Sequence, residues 1–257
     1  MFRLKNTRPK TLPMSLLVIL LAFFLGASKA SADSLHLAVA SNFIAPIKQL
    51  APVFEKETGH TLRLSFGSSG KFFAQIQNNA PYDIFLSADT QKPLALVSHQ
   101  LALPESIAIY AKGQLALWSM TPLRAPSLQA LLQDAKRIAI ANPKLAPYGK
   151  AAVESMTNLS MWEQSQTKLV QGENIGQTYQ FTYSQNADLG FVALSQVIAK
   201  PNLGYVRNLP SELYNEIQQA GVILSRSRNI ELAQTFMAFL MRTDIQARIA
   251  QFGYATE

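Results

Sequence analysis

The sequence predicts an α/β fold in two lobes, each a mainly parallel sheet flanked by helices, and three observations carry that prediction. From Leu35 onward, short apolar runs alternate with segments of helical period, as strands and their crossover helices do. After two extended stretches within residues 107–118, a second series of the same kind begins at Arg137. The chain then closes on one strand and two helices, which fold most economically by returning to the first lobe. The expected division is residues 33–111 and 219–257 for the first lobe and 112–218 for the second. Two crossings between lobes would make a hinge with a small-ligand cleft beside it. One continuous sheet is the alternative the pattern leaves open.

Residues 35–40 form the first expected strand, and the helix after it sets Phe43, Ile47, Leu50, Ala51 and Phe54 on one face. Gly59 stops that helix, and residues 61–66 read as the second strand. Gly67-Ser68-Ser69-Gly70 opens a helix through Phe72, Phe73 and Ile76, which Asn78-Asn79-Ala80-Pro81 closes. Residues 83–87 are the third strand and 91–99 the next helix; extended segments at 107–111 and 114–118 flank Lys112-Gly113. The second series runs strand 137–141, a Pro-bounded loop, helix 149–159, strand 168–171, helix 174–183 and strand 190–194. Residues 200–210, rich in Pro, Asn and Gly, read as loop. A strand at 221–224 follows, then two helices marked by Leu232, Phe236, Phe239 and Leu240 and by Ile245, Ile249 and Phe252.

The 257-residue chain carries 23 Lys and Arg against 16 Asp and Glu, a formal charge of +7, and no cysteine. Lack of cysteine excludes a disulfide framework, thiolate metal sites, a catalytic thiol and a lipid-bearing thiol, hence a lipoprotein anchor. The basic excess taken alone would point to nucleic acid or an acidic membrane. Its location says otherwise. Arg3, Lys5, Arg8 and Lys10 precede an apolar run at 16–25 and a small-residue stretch at 26–32, the layout of a secretory signal with cleavage expected after Ala32. The run falls short of the roughly 20 apolar residues of a membrane helix. Cleavage would remove five of the 23 basic residues and none of the 16 acidic ones, leaving 18 against 16 and no case for nucleic-acid binding.

The informative features are the turns from strand to helix. Ala40-Ser41-Asn42 and Gly67-Ser68-Ser69-Gly70 each put hydroxyl or amide side chains at a helix N-terminus, at the carboxyl ends of neighbouring strands. Such a terminus offers unpaired N–H groups and the positive end of the helix dipole, so it attracts an anion. Ordinary N-capping, with about 1 kcal/mol per cap, is the competing explanation. In the second series, residues 142–149 and 171–176 lead from strand to helix in the same way, and there the useful donors are the backbone N–H groups of Tyr148 and Ile175. Plain turn punctuation is again the alternative.

Enzyme signatures mostly fail. Residues 67–71 look like a phosphate loop, but the G-x-x-x-x-G-K-[ST] spacing is absent. Neither Ser68 nor Ser69 has the flanking glycines of a nucleophile elbow. His36, His60 and His99 lie in no metal-ligand or triad-like spacing and are expected at the surface. Asp83 and Asp89 flank the third strand as caps or solvated turn residues rather than as a catalytic pair.

Three runs in the first series, Ala38-Val39-Ala40-Ser41-Asn42, Phe66-Gly67-Ser68-Ser69-Gly70 and residues 80–89 (APYDIFLSAD), resemble the N-terminal lobe of periplasmic molybdate-binding proteins. Asn142-Pro143 with Pro147-Tyr148-Gly149, then Glu173-Asn174-Ile175 and Leu189-Gly190-Phe191-Val192, continue the likeness over the whole chain after residue 32. The resemblance implies a type II periplasmic binding protein fold that closes on a tetrahedral oxyanion, molybdate or tungstate, and delivers it to an inner-membrane ABC permease. It further implies a monomer free in the periplasm, without catalysis and without a cofactor. Hydroxyl donors fall on Ser41 and Ser69, and backbone N–H donors on Asn42, Tyr148 and Ile175. Some members add a tyrosine where this chain has Ala193, so that contact should be missing or replaced.

Hydroxyls and N–H groups with no acceptor carboxylate suit a fully deprotonated dianion. A protonated phosphate would leave its proton unpaired, at about 1 to 3 kcal/mol. Each charge-assisted bond contributes roughly 1.5 to 3 kcal/mol, so a handful of fixed donors bind tightly without Lys or Arg. Sulfate shares the charge and shape but is smaller, so discrimination has to come from how far apart the lobes hold their donors. A receptor for sulfate or another oxyanion is the nearest rival. A secreted hydrolase using Ser41 or Ser69 needs a histidine partner that the spacing does not supply.

Overall fold

The computed structural model describes residues 33–200 and 202–255; the expected signal peptide lies outside the described residues. In chain order the strands are β1 Ser34–Ala40, β2 Thr61–Gly67, β3 Ile84–Leu86, β4 Ala108–Gly113, β5 Leu115–Ser119, β6 Ile138–Ala141, β7 Leu169–Gly172, β8 Leu189–Ala193, β9 Tyr205–Asn208 and β10 Ile217–Ile223. The helices are α1 Ile44–Thr58, α2 Ser69–Gln77, α3 Gln91–Ser98, α4 Leu128–Asp134, α5 Pro147–Asn158, α6 Trp162–Ser165, α7 Ile175–Tyr183, α8 Leu194–Ile198, α9 Ile230–Leu240 and α10 Thr243–Ala250. The strands form two sheets of five, ordered β2-β1-β3-β10-β4 and β7-β6-β8-β5-β9. A single continuous sheet is thereby excluded.

Each sheet has three parallel strands followed by an antiparallel pair. In both, the parallel strands arise from βα crossovers, and the antiparallel partner of the third comes from the other side of a chain crossing. The last strand lies in the first sheet, with β10 between β3 and β4. Lys112 and Gly113 finish β4, and Ile217 and Gln218 begin β10. Residues 114–216, between these two strands, carry the second sheet.

Period-two alternation in β1 sends Leu35, Leu37 and Val39 to one face and Ala38 to the other. The first face packs on Phe43, Ile47, Leu50 and Phe54 of the α1 region and on Phe236, Phe239, Ile245 and Ile249 of the two C-terminal helices. The second meets Phe72, Ile76 and Leu96 of α2 and α3. Gly59, with φ 74°, ends α1 in the left-handed conformation and returns its N–H to Glu55 O at 2.9 Å. In the second lobe Leu117, Ile138, Ile140 and Phe191 pack on Ala151, Ala152 and Met156 of α5, while Trp118 and Val192 pack on Tyr179 of α7.

Two elements differ from expectation. Residues 205–208, read as loop, form the edge strand β9, whose exposed side chains leave no apolar alternation to read. β10 begins at Ile217 rather than near Gly221, because Gln218 and Gln219 give its first half a polar look although Gln219 is fully buried.

Candidate anion site

Four turns converge between the sheets. Ala40, Ser41, Asn42, Gly67, Ser68, Ser69 and Ala88 from the first lobe, with Ala146, Pro147, Tyr148, Asn174 and Ile175 from the second, line one small cavity. All five residues singled out from sequence, Ser41, Asn42, Ser69, Tyr148 and Ile175, are lining residues and buried. Ala193 is not a lining residue; it is buried and its N–H donates to Gln196 Oε1 at 3.0 Å.

Local sequence sets each turn. Ser41 starts a 3₁₀ turn, Ser41–Phe43, that runs into α1. Ser68 caps α2 by accepting from Lys71 N at 3.3 Å, which puts Ser69 at the first helical position. Pro147 occupies the first position of α5, where its fixed φ suits a helix start and its missing N–H is not needed. Asn174 caps α7 by accepting from Gln177 N at 3.0 Å. The N–H groups of Ser69, Tyr148 and Ile175 therefore sit at first or second helical positions, where their own helix supplies no acceptor.

The two serines differ in where their protons go. Ser41 Oγ donates to Gly67 O at 2.9 Å, whereas Ser69 Oγ accepts from Ala88 N at 2.9 Å and keeps its own proton for another acceptor. Asn42 turns its side chain away from the cavity, donating through Nδ2 to Gln219 Oε1 at 2.7 Å. No lining residue carries a formal charge, so the field in the cavity comes from helix termini and dipoles. Burial holds the Tyr148 and Tyr110 hydroxyls well above the usual phenol range. Burial also pushes Tyr254 up to about 12, opposed by its hydrogen bonds with Ser195 and Asn42.

The lobes touch around the cavity. Gly70 N–H donates across the cleft to Leu145 O at 2.8 Å, and a Cβ on Gly70 would lie 2.9 Å from Leu145 Cα, so only glycine permits the approach. Lys71, the lysine of the phosphate-loop lookalike, pairs with Glu173 across the cleft at 3.0 Å. Both are about half exposed, so the pair contributes little to stability.

The other chemistry considered from sequence does not assemble here. His36 Nε2 meets Ser65 Oγ at 2.9 Å, four residues and roughly 13 Å along β1 from Ala40. Ser41 and Ser69 have no histidine partner. Asp83 accepts from His36 N and Ser227 Oγ, and Asp89 from Lys92 N, as cap and turn residues do. Among the described residues no group of three His, Cys, Asp or Glu side chains could hold a metal ion. Sequence reasoning missed Ser195, Gln219 and Tyr254 behind the cavity. No motif marks them, and they lie 153, 177 and 212 residues from Asn42.

Known proteins fit this geometry. The chain is 41% identical over 239 residues to the molybdate-binding protein ModA of Rhodobacter capsulatus, covering 92% of this chain and 94% of that one. It is equally 41% identical, over 248 residues, to the molybdate-binding protein ModA of Azotobacter vinelandii, covering 95% and 98%. The solved periplasmic molybdate-binding protein of Azotobacter vinelandii superposes with a TM-score of 0.83 at 38% identity, over 87% of this chain and 99% of that one. The family described as bacterial extracellular solute-binding proteins matches residues 35–255. With that span matched, and with a cavity closed by two lobes of like topology, the chain belongs to the bacterial extracellular solute-binding protein family.

Proposed function

We propose that this chain is the substrate-binding component of a molybdate ABC import system, taking tungstate as well. The observation that carries the proposal is the convergence of four strand-to-helix turns, two from each lobe, on one small cavity without charged side chains. Ser41 and Ser69 act through hydroxyls, and Asn42, Tyr148 and Ile175 through backbone N–H. The donors surround a tetrahedral dianion, and no carboxylate lines the cavity to accept from a protonated phosphate. Lobe closure brings the donor sets together, and the closed form is what an inner-membrane permease recognises. The protein works as a monomer in the periplasm, released by cleavage after Ala32, with no cofactor and no catalysis. Relatives at 41% identity named for molybdate binding support this reading.

Calorimetric titration of the mature protein with molybdate, tungstate, sulfate and phosphate tests it. Molybdate and tungstate should bind at least a hundredfold more tightly than sulfate, and the double variant Ser41→Ala, Ser69→Ala should lose at least about tenfold in molybdate affinity. Equal affinity for sulfate, or an unaffected double variant, would sink the assignment.

A further inference from the structure

Behind the cavity lies a buried polar cluster to which the proposed function gives no role. Gln219 is fully buried on β10, at the point where the pairing of β10 with β4 shifts register between Gln219 and Ala220. A bulge re-aims the side chain it carries, and here the amide reaches both lobes. Its Oε1 accepts from Asn42 Nδ2 at 2.7 Å and from the Tyr110 hydroxyl at 3.1 Å. Its Nε2 donates to the Tyr148 hydroxyl at 3.1 Å. A Cβ on Gly113 would fall 2.1 Å from that hydroxyl and 2.6 Å from Gln219 Nε2, so glycine at 113 is a condition of the contact. A second tie runs beside the first: Ser195 Oγ, on the second-lobe helix α8, donates to Asn42 O at 2.9 Å, and the Tyr254 hydroxyl donates to the same oxygen at 2.8 Å.

Asn42 and Tyr148 thus face two ways. Each is a lining residue of the cavity, and each commits its side chain to Gln219. We infer that Gln219 is a positioning residue for the anion site, tying Asn42 of the first lobe to Tyr148 of the second so that the two donor sets stand at one fixed separation when the lobes are closed. It touches no ligand, since it is not among the cavity-lining residues. Its effect on an anion passes through the backbone groups that the tied residues present. A fixed separation is what tells a larger tetrahedral dianion from a smaller one, so the tie bears on selectivity as well as affinity. The inference rests on the proposed function for its ligand, and on the geometry alone for the tie.

The test uses Gln219→Met, which keeps the volume and removes both arms, Tyr148→Phe, which removes the second-lobe arm and leaves the backbone N–H, and the double variant. Molybdate and sulfate affinities are measured by calorimetry, and thermal midpoints without ligand are measured alongside. Each single variant should weaken molybdate about tenfold, or about 1.4 kcal/mol, with a smaller loss for sulfate, so that the preference for molybdate narrows. The double variant should be no more than threefold weaker than Gln219→Met. A folded Gln219→Met that binds molybdate within twofold of the parent overturns the inference, and so do losses that multiply in the double variant. Should Gln219→Met fail to fold, Tyr148→Phe decides: unchanged affinity and selectivity overturn the tie. A parent protein that binds no molybdate overturns the proposed function instead, and the ligand-free thermal cycle still reads the tie, which additive midpoints would refute.

Discussion

The two lobes share one topology but furnish the site by different means. β1 and β2 of the first sheet correspond in position to β6 and β7 of the second, and each delivers a turn to the cavity. The first lobe's turns bring serine side chains. Those of the second bring helices started by Pro147 and capped by Asn174, followed by the bulky Tyr148 and Ile175, which on the proposed function act through main-chain N–H. Side-chain donors can be deleted by substitution, and main-chain donors cannot, except by proline. One half of the site is therefore open to tuning by single residues, and the other is fixed by the fold itself.

Ile175→Pro probes the fixed half most strongly. Ile175 is the first residue of α7, where proline is tolerated, and Asn174 before it is extended at φ −144° and ψ 172°, as a residue preceding proline should be. The substitution removes one N–H and keeps the helix, so molybdate affinity should fall about 10- to 100-fold, the worth of one charge-assisted bond. Ile175→Ala should stay within about threefold by the same logic, since it keeps the N–H. A proline variant that is folded by circular dichroism and binds like the parent would refute the main-chain role.

In the tunable half the serines should rank. Ser69→Ala removes a hydroxyl whose proton is uncommitted and should cost about tenfold in affinity. Ser41→Ala removes one whose proton already serves Gly67 O and has to be redirected, so its loss should be only a few-fold, about 1 kcal/mol or less. Calorimetry on the two single variants reads the order directly, and the reverse order would show that the protons are placed otherwise in the bound form.

The smallest effect concerns the cluster behind the site. Tyr254 is raised by burial from 10.0 to about 12, so the folded state favours the neutral phenol. Its contribution is fully present below pH 10 and is lost as pH rises through about 12. Alkaline unfolding followed by circular dichroism should show that loss in the parent protein and a shallower one in Tyr254→Phe. Tyr110 and Tyr148, raised in the same direction, make stability fall with rising pH in the variant as well.

What was legible in the sequence was local. Ser41, Ser69, Tyr148 and Ile175 stand in turns whose strands, glycines and caps lie within a few residues, so period and punctuation found them. Asn42 was expected as a backbone donor with its amide at a helix N-terminus, whereas its side chain bonds Gln219 instead. That side chain belongs to a cluster drawn from the far ends of the chain, where a buried glutamine on a bulge has no local signature. The edge strand β9 escaped for a related reason. Its place is set by pairing with β5 and not by a pattern of its own.

The absence of charge among the cavity's lining residues has a consequence for unloading. Helix dipoles do not titrate, and the one ionisable lining residue, Tyr148, is held neutral by burial. Acidification within the physiological range therefore has nothing in the lining to protonate. On the proposed function, departure of the cargo is then a mechanical event, in which prising the lobes apart breaks the Gly70 to Leu145 backbone bond and withdraws half of the donors at once.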